Sequence, residues 1–227
     1  SMESFMAAAA NADWKAAPGM YLVLTNQPGD ESWPITGASF ILMHKEVQDA
    51  AVELRAQLRQ YPGQLAGLFE RLLDPSTSIQ EFANLALVAG SLGNSQATNQ
   101  ILDALQQLRN DPERAEWLIY ALGVYKERPG WDDRFSFNPK GPMTLVTDQG
   151  LRTPLFHKFS DSRTIQSILP FLDENDANLR SAAILTLRHS LDNSNVREAF
   201  TETLKEENDY GNQANLSEAI ARISGKL

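Results

Sequence analysis

Cysteine is absent from the 227 residues. That absence removes disulfides, thiolate catalysis and cysteine-ligated zinc together. A chain of this length buries a substantial core without such staples. No apolar run approaches the roughly 20 residues that cross a bilayer, so no membrane span is expected. Positive charge is in short supply: 20 Lys and Arg stand against 29 Asp and Glu, a net charge of −9. An acidic chain without a basic stripe repels phosphate backbones, so nucleic acid is not an expected partner. None of the histidines, His44, His157 and His189, has a second histidine three or four residues away. A helical zinc motif is therefore missing, and no metal or cofactor is expected. Gly-x-Ser-x-Gly and phosphate-loop patterns are missing too, so the sequence offers no catalytic residue and reads as a non-enzyme. Asp132-Asp133 and Glu206-Glu207 are adjacent carboxylates. Neighbours along one element point apart, so solvated charge is expected there and not an acid/base pair. The first residues have neither the basic nor the apolar region of a secretory signal. Ser1-Met2 resembles a remnant of tag removal, and compartment, periplasmic or cytoplasmic, is not legible from it.

What is present is mostly helical rhythm. Residues 3–12, ESFMAAAANA, favour helix because alanine is the best helix former, and Pro18-Gly19 ends it. Two short strand-like runs follow, Tyr21–Thr25 and Ser39–Met43, with turn chemistry at Gln27-Pro28-Gly29-Asp30 between them. From Glu46 the period becomes helical. Val47, Leu54, Leu58 and Tyr61 mark one stripe; Leu65, Leu68, Phe69, Leu72 and Leu73 the next; then Ile79, Phe82, Ala83, Ala86 and Leu87. Ile101, Leu102, Leu105 and Leu108 follow the Gly93-Asn94-Ser95 break, and Leu118, Ile119, Leu122 and Tyr125 follow Asp111-Pro112, a good helix start. Each stripe predicts a helix burying one face. Residues 128–160 are rich in proline and glycine, with a strand-like run at Met143–Thr147. Helical rhythm resumes at Asp161, with Ile165, Ile168, Leu169 and Leu172, and runs on through Leu179–Leu191, Val196–Leu204 and Leu216–Ile223.

The chain repeats itself at an offset of about 100 residues. Asp74 and Asp173 follow an apolar helix end; Ile79 and Leu179 open the next helix; Ala83 and Ala183, then Leu87 and Leu187, follow at four-residue steps. Asn94-Ser95 and Asn193-Ser194 occupy the next turn. The aspartates are expected to help cap the following helices. The second copy, with Phe171-Leu172-Asp173, Leu179-Arg180, Ala183 and Leu187, resembles a HEAT repeat; the first has Gln80 where that family's Arg is usual. The resemblance covers roughly residues 48–225 outside the insertion. It implies a mostly α fold: a HEAT-like α-solenoid of stacked helix pairs over 48–227, interrupted at 128–160.

The front of the chain resembles a different family. Ala12-Asp13-Trp14, Leu24-Thr25-Asn26-Gln27-Pro28-Gly29, Ser32-Trp33-Pro34-Ile35-Thr36 and Phe40–Lys45 are similar to the carboxy-terminal part of the phosphate-binding proteins of ABC transporters. This covers residues 3–48 and implies a small N-terminal α/β appendage, helix plus β-hairpin, over 1–47. In that family the phosphate is held by residues earlier in the chain, so no ligand is carried over to Ser32, Thr36 or Ser39. A two-stranded unit is marginal alone. It is expected to dock on the first helices, to recruit Met143–Thr147, or to pair with a second copy of the chain.

Function therefore reads first as a helical-repeat module for a protein or peptide partner. Trp131, Arg134, Phe135 and Phe137 in the insertion are of the types enriched in interface hot spots, and His157 lies in the same long segment. A remnant phosphate-type solute-binding protein is the second reading, and a structural chimera without selected activity the third.

Overall fold

The computed structural model describes residues 54, 56–58, 60–61, 63–92, 94–123, 159, 161–188 and 190–223. The helix expected over 3–12, the strands at 21–25, 39–43 and 143–147, and the junction near Val47 lie outside the described residues. What is described is helical, with no strand among the described residues.

The helices begin where short polar side chains can take up free backbone N–H groups. α1, Gln64–Leu73, starts after Gly63 without a side-chain cap. α2, Ile79–Ser91, is capped by Ser78, which accepts from Glu81 N. α3, Ser95–Gln107, is capped by Asn94 through Ala97 N at 2.8 Å. α4, Pro112–Gly123, has proline in its first turn and Asp111 accepting from Arg114 N. α5, Ser162–Ile168, is capped by Asp161, and a 3₁₀ turn over Leu169–Asp173 continues it. α6, Ala177–Leu187, starts at Asp176 and α7, Ser194–Glu206, at Asn193. α8, Tyr210–Ile223, starts at Asp209, which accepts from Asn212 N at 2.9 Å.

Two of these caps differ from the expectation. Asp74 does not cap α2, because it ends α1 and spends its Oδ1 on Ser76 N and Ser76 Oγ, both at 2.7 Å. Asp173 closes the 3₁₀ turn, and Asp176 caps α6 instead. The residue facing the free N–H groups is the one directly before the first helical turn, and an aspartate four or five positions earlier cannot reach them.

The helices pair and then line up. α1 packs on α2, α3 on α4, α5 and the 3₁₀ turn on α6, and α7 on α8. Between pairs, α2 packs on α4, α4 on α6 and α6 on α8, forming a continuous inner row. The α2–α4 and α4–α6 contacts are the most extensive. One apolar core runs through all four pairs, from Leu54 and Leu58 through Phe82, Leu118 and Ile184 to Phe200 and Leu216.

Small residues set the closest approach. Ala83 and Ala183 are fully buried. A Cβ added at Gly90 on α2 would lie 2.0 Å from Ala121 O and 2.7 Å from Ala121 C on α4. The one-face expectation fails for α4 and α6. Residues 118–123 of α4 and 181–187 of α6 are buried on every side, because each helix is enclosed by the rows before and after it as well as by its own partner. Tyr61 also departs from its stripe and is 52% exposed.

Candidate functional site

The residues singled out for partner binding, Trp131, Arg134, Phe135, Phe137 and His157, lie outside the described residues, as do His44 and His189. The chemistry that the described helices do bring together comes from polar side chains the sequence pattern left unassigned.

Arg180 and Glu207 form the most enclosed of these groups. Glu207 follows the last turn of α7, and its side chain is wholly buried. Arg180, one turn into α6, meets it with two parallel bonds: Nε donates to Oε2 at 2.8 Å and Nη2 to Oε1 at 2.6 Å. Nη1 donates to the carbonyls of Glu174 and Asn175. Glu207 Oε1 also accepts from the N–H groups of Asn208 and Asp209, both at 2.9 Å. Burial by itself would raise the Glu207 carboxyl. The Arg180 bonds, the backbone donors and the Arg180 charge outweigh it and hold the group below the ordinary glutamate range. Glu207 is therefore not the solvated surface charge that its pairing with Glu206 suggested. The available signal was the Asn208-Asp209 start of a helix directly after it, where a carboxylate finds free N–H donors.

A second polar contact occurs twice. In the first half, Arg114 on α4 donates through Nη2 to Thr77 O at 2.9 Å, just before α2. It also pairs with Asp111 at 2.7 Å and lies 5.6 Å from the Phe82 ring centroid. In the second half, Asn212 on α8 donates through Nδ2 to Ala177 O at 3.1 Å, at the start of α6. Arg114 and Asn212 each lie three residues after the aspartate that begins their helix. Both tie an inner-row helix to the entry of the preceding one.

The end of α6 and the middle of α8 border a shallow open cleft lined by Arg188, Asn215, Glu218, Ala219 and Arg222. Glu218 and Arg222 form an ion pair. Burial lowers the Arg188 guanidinium, with Glu218 and Arg222 opposing each other as smaller influences. Asn215 is 3% exposed and its Oδ1 accepts no hydrogen bond. Among the described residues no cluster of His, Asp or Glu could hold a metal ion, and no helix is long and apolar enough to cross a membrane.

No family model matches the chain, and no solved structure matches it. Curated relatives match a short stretch. The phosphate-binding protein PstS of Pasteurella multocida is 65% identical over 48 residues, 21% of this chain and 14% of the relative. PstS of Xylella fastidiosa is 57% identical over 51 residues, 22% of this chain and 14% of its own length. PstS of Haemophilus influenzae is 60% identical over 45 residues, 20% and 14% respectively. The chain thus spans about a seventh of the length of the relatives it matches. It is a mostly helical protein carrying one segment similar to phosphate-binding proteins of the PstS kind.

Proposed function

We propose that the helical part, residues 48–227 with the insertion 128–160, is a HEAT-like α-solenoid acting as a non-enzymatic interaction or scaffold module. The observation that carries this reading is the repeated tie. Arg114 to Thr77 O and Asn212 to Ala177 O recur at the same place in successive halves of one continuous inner row. A stack in which each pair contacts its neighbours presents long faces and little enclosed volume, which suits a protein or peptide partner better than a small substrate. The insertion residues Trp131, Arg134, Phe135, Phe137 and His157 are the proposed contacts, and no cofactor is required. The test is a pull-down with the intact chain and with W131A and F135A, each checked for unchanged helicity by circular dichroism. A partner retained by the parent chain and lost by the folded variants supports the reading. Identical captures from all three overturn it.

A second reading rests on the PstS-like segment. In it the front of the chain, residues 1–47, is a remnant of a phosphate-type solute-binding protein. The match of 57–65% identity supports it, and coverage of 14% of the relatives counts against retained function. Calorimetric titration with inorganic phosphate separates the two readings: saturable micromolar binding favours the remnant, and no heat favours the interaction module. Pairing of the front strands with a second copy of the chain is proposed as their cover, checked by sedimentation of the intact chain against one lacking residues 1–47.

A further inference from the structure

Residues 124–158 separate two helical halves, and the halves meet each other directly. In the inner row α4 of the first half packs on α6 of the second, one of the two most extensive contacts of the stack. On the outer side Arg163 of α5 donates through Nη1 to Asn99 of α3 at 2.8 Å and approaches Asp103 at 3.6 Å. Arg109, just after α3, approaches Glu174 at 3.7 Å and lies 5.7 Å from the Phe171 ring centroid. Beneath these ties the apolar core is shared: Leu105 and Ile119 of the first half belong to the same cluster as Ile168 and Ile184 of the second. The flanks of the separating stretch sit in their own halves. Gly123 is buried as the last residue of α4. Phe159 is buried too, and its N–H donates at 2.9 Å to Ser190 Oγ, itself fully buried beyond the end of α6.

We infer that the α4–α6 packing is an interface in its own right: residues 54–123 and 159–223 are each other's binding partners, and the stack stays assembled when the chain is cut between 124 and 158. Interfaces that hold separate chains permanently resemble a hydrophobic core cut in half. Here the apolar cluster crosses the junction unbroken. Parting the halves would bare one side of α4 and one side of α6, whose residues 118–123 and 181–187 are now buried all round. The exposed arginine pairs add little affinity. Their part is register, because charge placed across an interface fixes which groups meet. The covalent link raises the effective concentration of one half around the other. Cutting it removes that advantage and none of the contacts named above. The inference does not depend on the insertion binding a partner.

The experiment places a specific protease site within 124–158 of the full chain, at two alternative positions in separate versions, and cuts each to completion. A version that resists the protease in native buffer is cut in urea and refolded. Gel filtration and native mass spectrometry at micromolar concentration then read the product. The expected result is one species at the elution volume of the uncut chain, with the mass of one copy of each piece and unchanged helicity by circular dichroism. The pieces are expected to part only in urea. Pieces that elute separately in native buffer overturn the inference, as does a chain that loses its helicity or precipitates once cut at either position.

Discussion

Gly90→Ala and Gly67→Ala are the same chemical change made in two helices, and the structure gives them opposite signs. At Gly90 the new Cβ would sit 2.0 Å from Ala121 O, 2.7 Å from Ala121 C and 3.0 Å from Ala121 Cα. A carbon–oxygen contact relaxes only near about 3.4 Å, so α2 and α4 must part by roughly 1.4 Å at this point. The obstacle is backbone, and no rotamer relieves it. Overpacking of this kind costs about 1–3 kcal/mol, and the loss spreads because α2 and α4 are the most extensively packed pair. Better helix propensity returns about 1 kcal/mol. With the overpacking taken at the upper end of its range, because the obstacle is backbone, the expected net loss is about 2 kcal/mol. Gly67, inside α1, has nothing within 4 Å of an added Cβ, so only the propensity gain remains, about 0.5–1 kcal/mol of stabilisation. Urea unfolding followed by circular dichroism reads both: the midpoint falls for G90A and rises for G67A at unchanged slope. A G90A midpoint equal to or above the parent's would refute the close approach of α2 and α4, and with it the two-row packing.

Glu207→Ala leaves the Arg180 guanidinium buried without its partner and removes the acceptor for Asn208 N and Asp209 N; a loss of about 3 kcal/mol or more is expected in the same unfolding assay. Because Glu207 is held below the ordinary glutamate range, its contribution is full above the unfolded value and fades as pH falls through the folded one, so thermal melts of E207A and the parent chain should converge at strongly acid pH. Asn215→Leu replaces a buried oxygen that has no hydrogen bond, and the melting temperature is expected to rise, by the equivalent of about 1 kcal/mol. Asp161→Ala removes the acceptor for Arg163 N and Thr164 N at the start of a seven-residue helix, with a loss of about 1–2 kcal/mol by urea midpoint.

The helices themselves were legible because their signals are local. Asn94 and Asn193 at the turns, Pro112 in a first turn and the apolar spacing from Leu65 to Leu72 act within a few residues of chain, and the structure starts and buries those helices accordingly. Ala83 and Ala183, the small residues of the hundred-residue offset, are both fully buried. What a one-dimensional pattern cannot carry is which faces become enclosed from a distance. Leu118–Gly123 and Ser181–Leu187 look like ordinary helical segments, and only the neighbours on each side make them buried all round. Glu207 reads as surface charge until Arg180, 27 positions earlier, is folded against it. Glu116 has its carboxyl raised first by burial and then by Asp176 at the start of another helix. Sequence fixes where backbone dihedrals begin and end a helix; charge, burial and closeness between helices are sums over the whole packed chain, and those the tertiary structure decides.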